Sequence, residues 1–168
     1  MERDAVDRML EKWAREWPAL DVSPLAVVSR VTRAARLLDQ RIETNFRRYG
    51  VSGTDYRLLA TLRHTPEPRL LTPSALASAV MLTPGAVSRQ LDRLNDRGLI
   101  ERHPDPQDRR LVLVGLSPEG CELIEKVIVG HIANEHRLVQ ALDADEQAQI
   151  AHLLRRLLLS FGDVADVD

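Results

Sequence analysis

The stretch LTPSALASAVMLTPGAVSRQLDRLNDRGLIERHPDPQDRRLVLVGLSPEG, residues 71–120, decides the fold of this chain. Twice within it a threonine stands directly before a proline, at Thr72-Pro73 and again at Thr83-Pro84. A threonine hydroxyl caps the free N–H groups of a helix, and a proline in the first helical position loses no hydrogen bond. Each pair therefore predicts the start of a helix, and the two starts lie close together.

The segments behind these two starts predict a helix-turn-helix. The first helix covers residues 74–79, and residues 80–82 leave room only for a tight turn. The second helix continues to Arg97 and ends at Gly98, because glycine readily adopts the left-handed conformation that closes a helix. Two short helices joined in this way are typical of DNA-binding units, in which the first helix crosses the DNA backbone and the second lies in a groove.

Two strand-like runs complete the unit, at residues 99–103 and 111–116. The segment between them contains two prolines and a Pro-Gln-Asp turn, which predicts a hairpin with a charged tip. Helix, turn, helix and hairpin together predict a winged helix-turn-helix. A major groove about 12 Å wide admits one helix of this kind. The fold class we expect is therefore mainly α with a small β-wing.

The second helix has the two faces that groove binding requires. Its apolar positions share one side, namely Val87, Leu91 and Leu94. On the polar side, Ser88 and Arg89 can donate hydrogen bonds to base edges, and arginine matches guanine best. Gly85 allows close approach of the backbone, and Thr83 with the free N–H groups at the helix start can receive a phosphate.

The hairpin tip carries a second group of candidate contacts. Arg109 and Arg110 can reach a neighbouring minor groove, since a narrow groove attracts arginine. Asp108 beside them can hold one guanidinium through an ion pair. The full set of expected contacts with double-stranded DNA comprises Thr72, Thr83, Pro84, Gly85, Ala86, Ser88, Arg89, Arg93, Asp108, Arg109 and Arg110.

A solvated, ion-paired surface is the alternative for these charged residues. Arg93 can pair with Asp96, or Arg97 with Asp92, and Arg110 can be an ordinary surface charge. The same alternative of solvation with i,i+4 pairing holds for the basic side of the first long helix. That side carries Arg30, Arg33, Arg36, Arg41, Arg47 and Arg48 with Asp39 and Glu43.

The remaining residues predict helices on both sides of the lobe. Helices are expected over residues 2–17, 23–49, 117–141 and 143–161, with one more from Ser52. Their starts carry cap signals: Ser23-Pro24, Ser52 with Asp55, Ser117-Pro118, and Asp143 with Glu146. The helix over 23–49 has an apolar face broader than one neighbour needs, formed by Val27, Val28, Val31, Ala34, Ala35, Leu38, Ile42 and Phe46. We therefore expect part of this apolar face to be buried against a partner.

These elements predict a division of the chain into four parts. We expect an N-terminal helical extension over 1–22, a helical dimerisation region over 23–50 and 117–162, a winged helix-turn-helix DNA-binding lobe over 51–116, and an acidic tail over 163–168.

Residues 108–120, DRRLVLVGLSPEG, resemble the wing signature of the MarR-type transcriptional regulators. That signature has an Asp, an Arg two residues on, then Leu-Ser or Leu-Thr and a Gly, here Asp108, Arg110, Leu116, Ser117 and Gly120. The resemblance is strong over 71–120 and covers about 25–160. It implies a homodimer on a pseudo-palindromic site, with Arg110 in the minor groove. It also implies a repressor that a small, often aromatic or phenolic, acid releases from DNA.

The resemblance further implies an effector pocket between the dimer helices and the DNA lobe. The extension WAREWPALDVSPL, residues 13–25, is similar to a branch that responds to urate and related anions. Two positions depart from that branch, with Arg57 in place of an Asp and His64 in place of an Arg. We therefore expect a small aromatic or anionic effector without specifying urate. The candidate ligand residues are Trp13, Trp17, Tyr56, Arg63 and His64.

Composition limits the function classes. The 168 residues are 44% apolar, enough for a core, and 23 basic against 25 acidic residues give a net charge of −2. Without a global basic field, DNA must be held by a local patch. Only 4% of residues are aromatic, which argues against a stacking platform for single strands. No run spans a bilayer and the N-terminus is no signal peptide, so we expect a soluble, cytoplasmic protein without membrane partners.

Enzymatic chemistry has no support in the sequence. A nucleophile elbow, a paired-histidine zinc helix and a Gly-rich phosphate loop are all lacking. His131 and Glu135 have a spacing usable by a metal without an evident third ligand, so we expect no metal and no cofactor. Cys121 is expected to be an inert structural thiol, and Trp13 with Trp17 can simply pack the extension onto the dimer. The alternative function is a winged-helix dimer that binds another protein instead of DNA.

Overall fold

The helices and strands follow the order that the sequence predicts. The computed structural model describes residues 2–108 and 110–164 of the chain. Within them lie α1 (Ala5–Glu16), α2 (Ser23–Arg47), α3 (Gly53–His64), α4 (Pro73–Ala79), α5 (Pro84–Asp96), β1 (Ile100–Pro104), β2 (Val112–Leu116), α6 (Pro118–Leu138) and α7 (Ala144–Ser160). The predicted class, mainly α with a small β-wing, is confirmed.

Side-chain caps begin the helices of the lobe where the sequence places them. The Thr72 hydroxyl accepts from the Ala75 N–H at 3.2 Å, and the Thr83 hydroxyl accepts from the Ala86 N–H at 3.3 Å. The reciprocal capping boxes predicted for α3 and α7 are also present. Because each cap involves residues only three apart, local sequence is enough to predict it.

One predicted cap is wrong. Ser23 is the first residue inside α2, Val22 occupies the cap position, and no side chain caps that helix. The Ser23 N–H instead donates to the Asp21 carboxylate at 2.9 Å, and this hydrogen bond lowers the pKa of Asp21. Asp21 thus accepts from the first N–H of α2, which begins one residue earlier than predicted.

The wing is an antiparallel hairpin whose register runs from Ile100 opposite Leu116 to Pro104 opposite Val112. A third short segment joins it, because Leu71 exchanges two backbone hydrogen bonds with Val114, at 3.0 and 2.8 Å. The residue just before α4 is therefore tied to the wing. The sequence carries no signal for this bridge, since one isolated pair leaves no alternating pattern.

The core lies inside the lobe, between α3, α4, α5, the wing and α6. Its fully buried side chains are Leu58, Leu59, Leu62, Leu76, Val87, Leu91, Leu94, Val114, Ile124 and Val127. The apolar face predicted for α5 is among them. Burial of one face fixes the rotation of this helix, so its opposite face points to solvent.

Outside the lobe, large apolar side chains remain exposed. No residue of α7 is buried, and Val27 and Val28 of α2 are 59% and 60% exposed. Other exposed apolar residues of these helices and of α6 are Val129, Ile132, Ile150, Leu153, Leu157, Leu158 and Leu159. Of the apolar face predicted on α2, Phe46 is buried in the core.

Helix α1 is held against α2 by a charged clamp. The Arg30 guanidinium donates to Asp4 at 2.9 Å and to Asp7 at 2.6 Å. Asp4 also caps α1, and its hydrogen bonds to the Asp7 N–H and to Arg30 lower the pKa of its carboxyl group. The helix predicted over residues 2–17 therefore begins at Ala5, one residue after this cap.

The turn between α6 and α7 starts earlier than predicted. Helix α6 ends at Leu138, whereas the sequence analysis extended it to 141. The Gln147 side chain donates to the carbonyl oxygen of Leu142 at 2.8 Å and closes the turn from the α7 side. No helix in 2–108 or 110–164 is both long enough and apolar enough to cross a membrane.

Candidate nucleic-acid interface and effector pocket

The polar face of α5 is open to solvent. Ser88, Arg89 and Arg93 are exposed, while Val87 and Leu94 behind them are fully buried. The remaining candidates near the helix start are also accessible: Thr83, Pro84 and Gly85 are exposed, and Thr72 and Ala86 are half-buried. The structure therefore brings the α4–α5 candidates to one accessible region and keeps the apolar face of α5 in the core.

The start of α5 offers one unused backbone donor. The Ala86 and Val87 N–H groups donate to the Thr83 carbonyl oxygen at 3.0 and 3.1 Å, and Pro84 has no N–H. The Gly85 N–H finds no acceptor among the described residues. A Cβ added to Gly85 would meet nothing within 4 Å, so this backbone is open to an approaching group. A free N–H at the positive end of a helix suits a phosphate oxygen.

Two aspartates shape the tip of the wing. The Asp105 carboxylate accepts from the N–H groups of Gln107 and Asp108 at 2.7 and 3.2 Å. Asp108 in turn accepts from the backbone N–H of Arg110 at 3.0 Å. Arg110 is exposed. Arg109 lies outside the described residues, so its predicted contact is untested.

The charged residues of α5 pair differently from the alternatives that the sequence offered. Arg93 donates to Gln90 instead of pairing with Asp96. Arg97 lies 3.8 Å from Asp55 and also donates to the Gly50 carbonyl oxygen at 2.8 Å. Asp55 and Gly50 lie on other parts of the chain, and Gln90 lies on the buried face of α5. The i,i+4 spacing of charged residues therefore predicts none of these contacts.

A missed ion pair joins the wing to α5. Arg102 of β1 donates to Asp92 at 2.5 Å, whereas Arg97 contacts Asp55. On the basic side of α2, Arg47 pairs with Glu43 at 3.5 Å, which agrees with the i,i+4 alternative for that residue. The exposed Arg102–Asp92 ion pair links the first strand of the wing to α5.

A cavity of about 600 Å³ lies between α3 and the turn that joins α4 to α5. Tyr56, Arg57 and His64 line its α3 side, and Val80 and Met81 line the turn side. A second cavity, of about 560 Å³, lies on the α2 and α6 side of α3 and shares Tyr56 and Arg57 with the first. An arginine beside an aromatic ring suits a small anionic or aromatic ligand.

An aromatic cluster forms the wall between the lobe and the long helices. The rings of Tyr56 and Phe46 stack with centroids 4.4 Å apart, and His131 lies 4.9 Å from each of them. Burial raises the pKa of the Tyr56 hydroxyl, and the nearby charge of Glu135 adds to the effect. The phenol is therefore harder to ionise than a free tyrosine, and Tyr56 lines both cavities.

The other candidate ligand residues are spread over the chain. Arg63 turns away from the cavity and donates to Glu125 at 2.9 Å. Trp13 and Trp17 lie against each other at the end of α1, with tilted rings whose centroids are 4.7 Å apart, and they line neither cavity. Of the five candidates, this single chain brings only Tyr56 and His64 together. Arg57, which the sequence analysis noted only as a departure, is the cation beside them.

The two residues with metal spacing form a pair of their own. His131 Nδ1 lies 3.4 Å from the Glu135 carboxylate. No group of three potential metal ligands occurs within the described part of the chain. Cys121 is half-buried in the first turn of α6, where its N–H donates to the Ser117 carbonyl oxygen at 2.9 Å.

Comparison with known proteins decides the family. The sequence profile of the MarR family matches residues 49–111, which span α3, α4, α5 and the first strand of the wing. The HTH-type transcriptional regulator PecS of Dickeya dadantii is 32% identical, and the alignment covers 90% of this chain and 92% of PecS. This chain belongs to the MarR family. It is accordingly a transcriptional regulator, and the MarR-type resemblance of residues 71–120 is confirmed.

Solved MarR structures share the fold. A single-residue mutant of MarR from Escherichia coli, complexed with operator DNA, superposes with a TM-score of 0.67 and 26% identity, covering 83% of this chain and 99% of that one. AbsC, a MarR family regulator from Streptomyces coelicolor, has a TM-score of 0.73, 23% identity and coverage of 86% and 98%. The winged-helix architecture is thus that of the MarR family. A place in the urate-responsive branch stays a prediction.

Proposed function

We propose that this chain binds double-stranded DNA as a homodimer and represses transcription until a small effector releases it. The observation that carries the proposal is the start of α5, where the unused Gly85 N–H and the exposed side chains of Ser88 and Arg89 face solvent together. The operator complex of the structurally similar MarR protein supports the same use of this lobe. Ser88 and Arg89 contact bases, and the wing residue Arg110 reaches the minor groove.

The second copy of the chain covers the exposed apolar side chains of α2, α6 and α7. A helix such as α7, with leucines at 153, 154, 157 and 158 and no buried residue, does not pack stably alone. Pairing with the same surface of another copy buries these side chains around a two-fold axis. The two α5 helices then meet successive major grooves, with half-sites about 10 bp apart.

The effector binds in the cavity between α3 and the α4–α5 turn. Arg57 and the protonated Tyr56 hydroxyl supply a cation and a donor for an aromatic or anionic molecule. Met81 in the same wall precedes the Thr83 cap of α5 by two residues, so a ligand there contacts the segment that orients α5. The effector shifts DNA affinity only by its preference for one arrangement of the two lobes. We also propose that the protein acts in the cytoplasm, beside the DNA.

Selection of duplexes from a random-sequence pool by the full-length chain tests this function. We expect enrichment of a pseudo-palindrome and a steep loss of affinity with added salt, because phosphate contacts release counterions. Arg89→Ala should relax the base preference at one position of each half-site. Failure to enrich any sequence, or binding that salt does not weaken, would favour the protein-interaction alternative.

A thermal-shift screen of small aromatic acids tests the effector site. A ligand that binds only the folded state raises the melting temperature, and Arg57→Ala should abolish that rise. Arg63→Ala is the matched control, since Arg63 is bound to Glu125 outside the cavity. A shift that both variants retain would place the ligand elsewhere.

A further inference from the structure

A chain of buried hydrogen bonds runs from α3 to the surface of α5. Asp55 and Gln90 are each only 6% exposed, and the Gln90 Nε2 amide donates to the Asp55 carboxylate. The Gln90 Oε1 atom accepts from the Arg93 guanidinium, whose side chain is on the exposed face. One solvent-facing arginine of α5 is therefore anchored inside the lobe.

Asp55 decides which way the Gln90 amide points. Its other carboxylate oxygen accepts from the N–H and the hydroxyl of Ser52, at 2.8 and 2.9 Å, and lies 3.8 Å from Arg97. An ionised carboxylate accepts hydrogen bonds and donates none, so the donor end of the Gln90 amide must face Asp55. The acceptor end is then turned toward Arg93, which has only donors to offer.

The anchor occupies one donor of Arg93 and leaves the others available. Arg93 is the tenth residue of α5, beyond the helix start, where side chains more often position the backbone than read bases. A guanidinium already held at one end loses less side-chain entropy when it meets a phosphate. Arg89, one turn earlier on the same face, is a natural comparison, because it has no such partner among the described residues.

We propose that Gln90 is a positioning residue that holds Arg93 in the orientation in which it contacts a DNA phosphate, and that Asp55 fixes the amide of Gln90 for this purpose. The inference rests on the proposed DNA-binding function. It assigns a role in binding to two residues that do not themselves touch DNA.

The substitution Gln90→Met tests the anchor. Methionine has nearly the length and flexibility of glutamine, so it fills the same buried space while both hydrogen bonds are lost. Affinity is measured over a series of salt concentrations for the duplex that the wild-type chain selects. The set of proteins comprises wild type, Gln90→Met, Arg93→Ala, Arg89→Ala and the two double variants of Gln90→Met with each arginine change.

We expect Gln90→Met to weaken binding by about threefold to tenfold, within the range of coupling between residues in contact. Arg93→Ala should lower the salt slope by about 1, the loss of one phosphate contact. In the Arg93→Ala background, Gln90→Met should not lower the DNA affinity further, since the guanidinium that Gln90 positions is absent. In the Arg89→Ala background, the two losses should multiply.

The inference is wrong if Gln90→Met binds the duplex as tightly as wild type. It is also wrong if the affinity losses of Gln90→Met and Arg93→Ala multiply in the double variant, because Gln90 then has only a structural role. If Gln90→Met does not fold by circular dichroism, Asp55→Asn carries the same test. In Asp55→Asn, the new amide can donate a hydrogen bond to Oε1 of Gln90. The Gln90 amide then turns, and its Nε2 donor faces the Arg93 guanidinium, which cannot accept a hydrogen bond. The same dependence on Arg93 is then expected, and its absence would overturn the inference. A wild-type chain that selects no duplex would instead overturn the proposed function beneath it.

Discussion

At the level of single residues, a substitution at Gly85 should affect DNA affinity without lowering the stability of the fold. An alanine there meets nothing within 4 Å, so Gly85→Ala should leave stability unchanged or raise it by up to about 1 kcal/mol, because alanine loses less backbone entropy in a helix. The added methyl group would nevertheless crowd a phosphate that approaches the Gly85 backbone closely. We expect weaker DNA binding by a chain that unfolds at the same or a higher temperature. Unchanged affinity in a titration with the selected duplex would remove Gly85 from the interface.

Hydrogen bonds could be predicted from the sequence where both partners lie close together in the chain. The Thr83 cap and the Ser52–Asp55 box follow from residues three apart, and both are present. The partner of Gln90 lies 35 positions away, so no local pattern pairs it with Asp55. A signal existed nonetheless: Gln90 is a polar residue on the apolar side of α5, and a buried polar group needs a partner.

At the scale of elements, the start of α6 depends on close approach to the wing. A Cβ added to Gly120 would stand 1.9 Å from the Leu99 carbonyl oxygen, which belongs to the backbone and cannot turn aside. Gly120→Ala should therefore destabilise the fold by about 1–3 kcal/mol or more, as overpacking does. Urea unfolding monitored by circular dichroism measures the change, with Gly85→Ala as the helical glycine control. Equal stabilities of the two variants would contradict the packing described here.

The wing tip makes a separate prediction. Arg110→Ala should weaken DNA binding by about tenfold while the oligomeric state and the melting temperature stay unchanged, because the side chain is exposed. Gln107→Ala is the control at the same tip, since the Gln107 contact with Asp105 uses only its backbone N–H. Equal affinities of Arg110→Ala and wild type for the selected duplex would refute the assignment of the wing.

The order and type of the elements could be predicted from sequence because caps, prolines and apolar spacing are local signals. The ends were less certain: α6 stops at Leu138, since a side chain from α7 closes the following turn. The bridge between Leu71 and Val114 joins residues far apart in the chain and has no sequence signature. The effector pocket was expected between the dimer helices and the DNA lobe, whereas the cavity lined by Tyr56, Arg57 and His64 lies within the lobe, between α3 and the α4–α5 turn. Arg63 faces away from it, because helical spacing alone does not fix rotation.

At the scale of the whole molecule, the exposed leucines of α7 predict the dimer. Leu153→Glu places a charge on a side chain that is 51% exposed in one chain and that the proposed dimer would bury. We expect this variant to be a folded monomer by light scattering and to lose most of its DNA affinity, because each lobe then binds one half-site alone. Gln149→Glu, a charge on an exposed polar position of the same helix, should stay dimeric. A Leu153→Glu chain that remains dimeric would move the interface elsewhere.

Hydroxyl-radical footprinting of the full-length chain on its selected duplex shows whether two lobes bind the DNA together. Two lobes related by a two-fold axis, each with α5 in a major groove and a wing beside it, predict two protected regions centred about 10 bp apart and related by the symmetry of the site. A single protected region, or a duplex cleaved evenly along its length at saturating protein, would contradict the account.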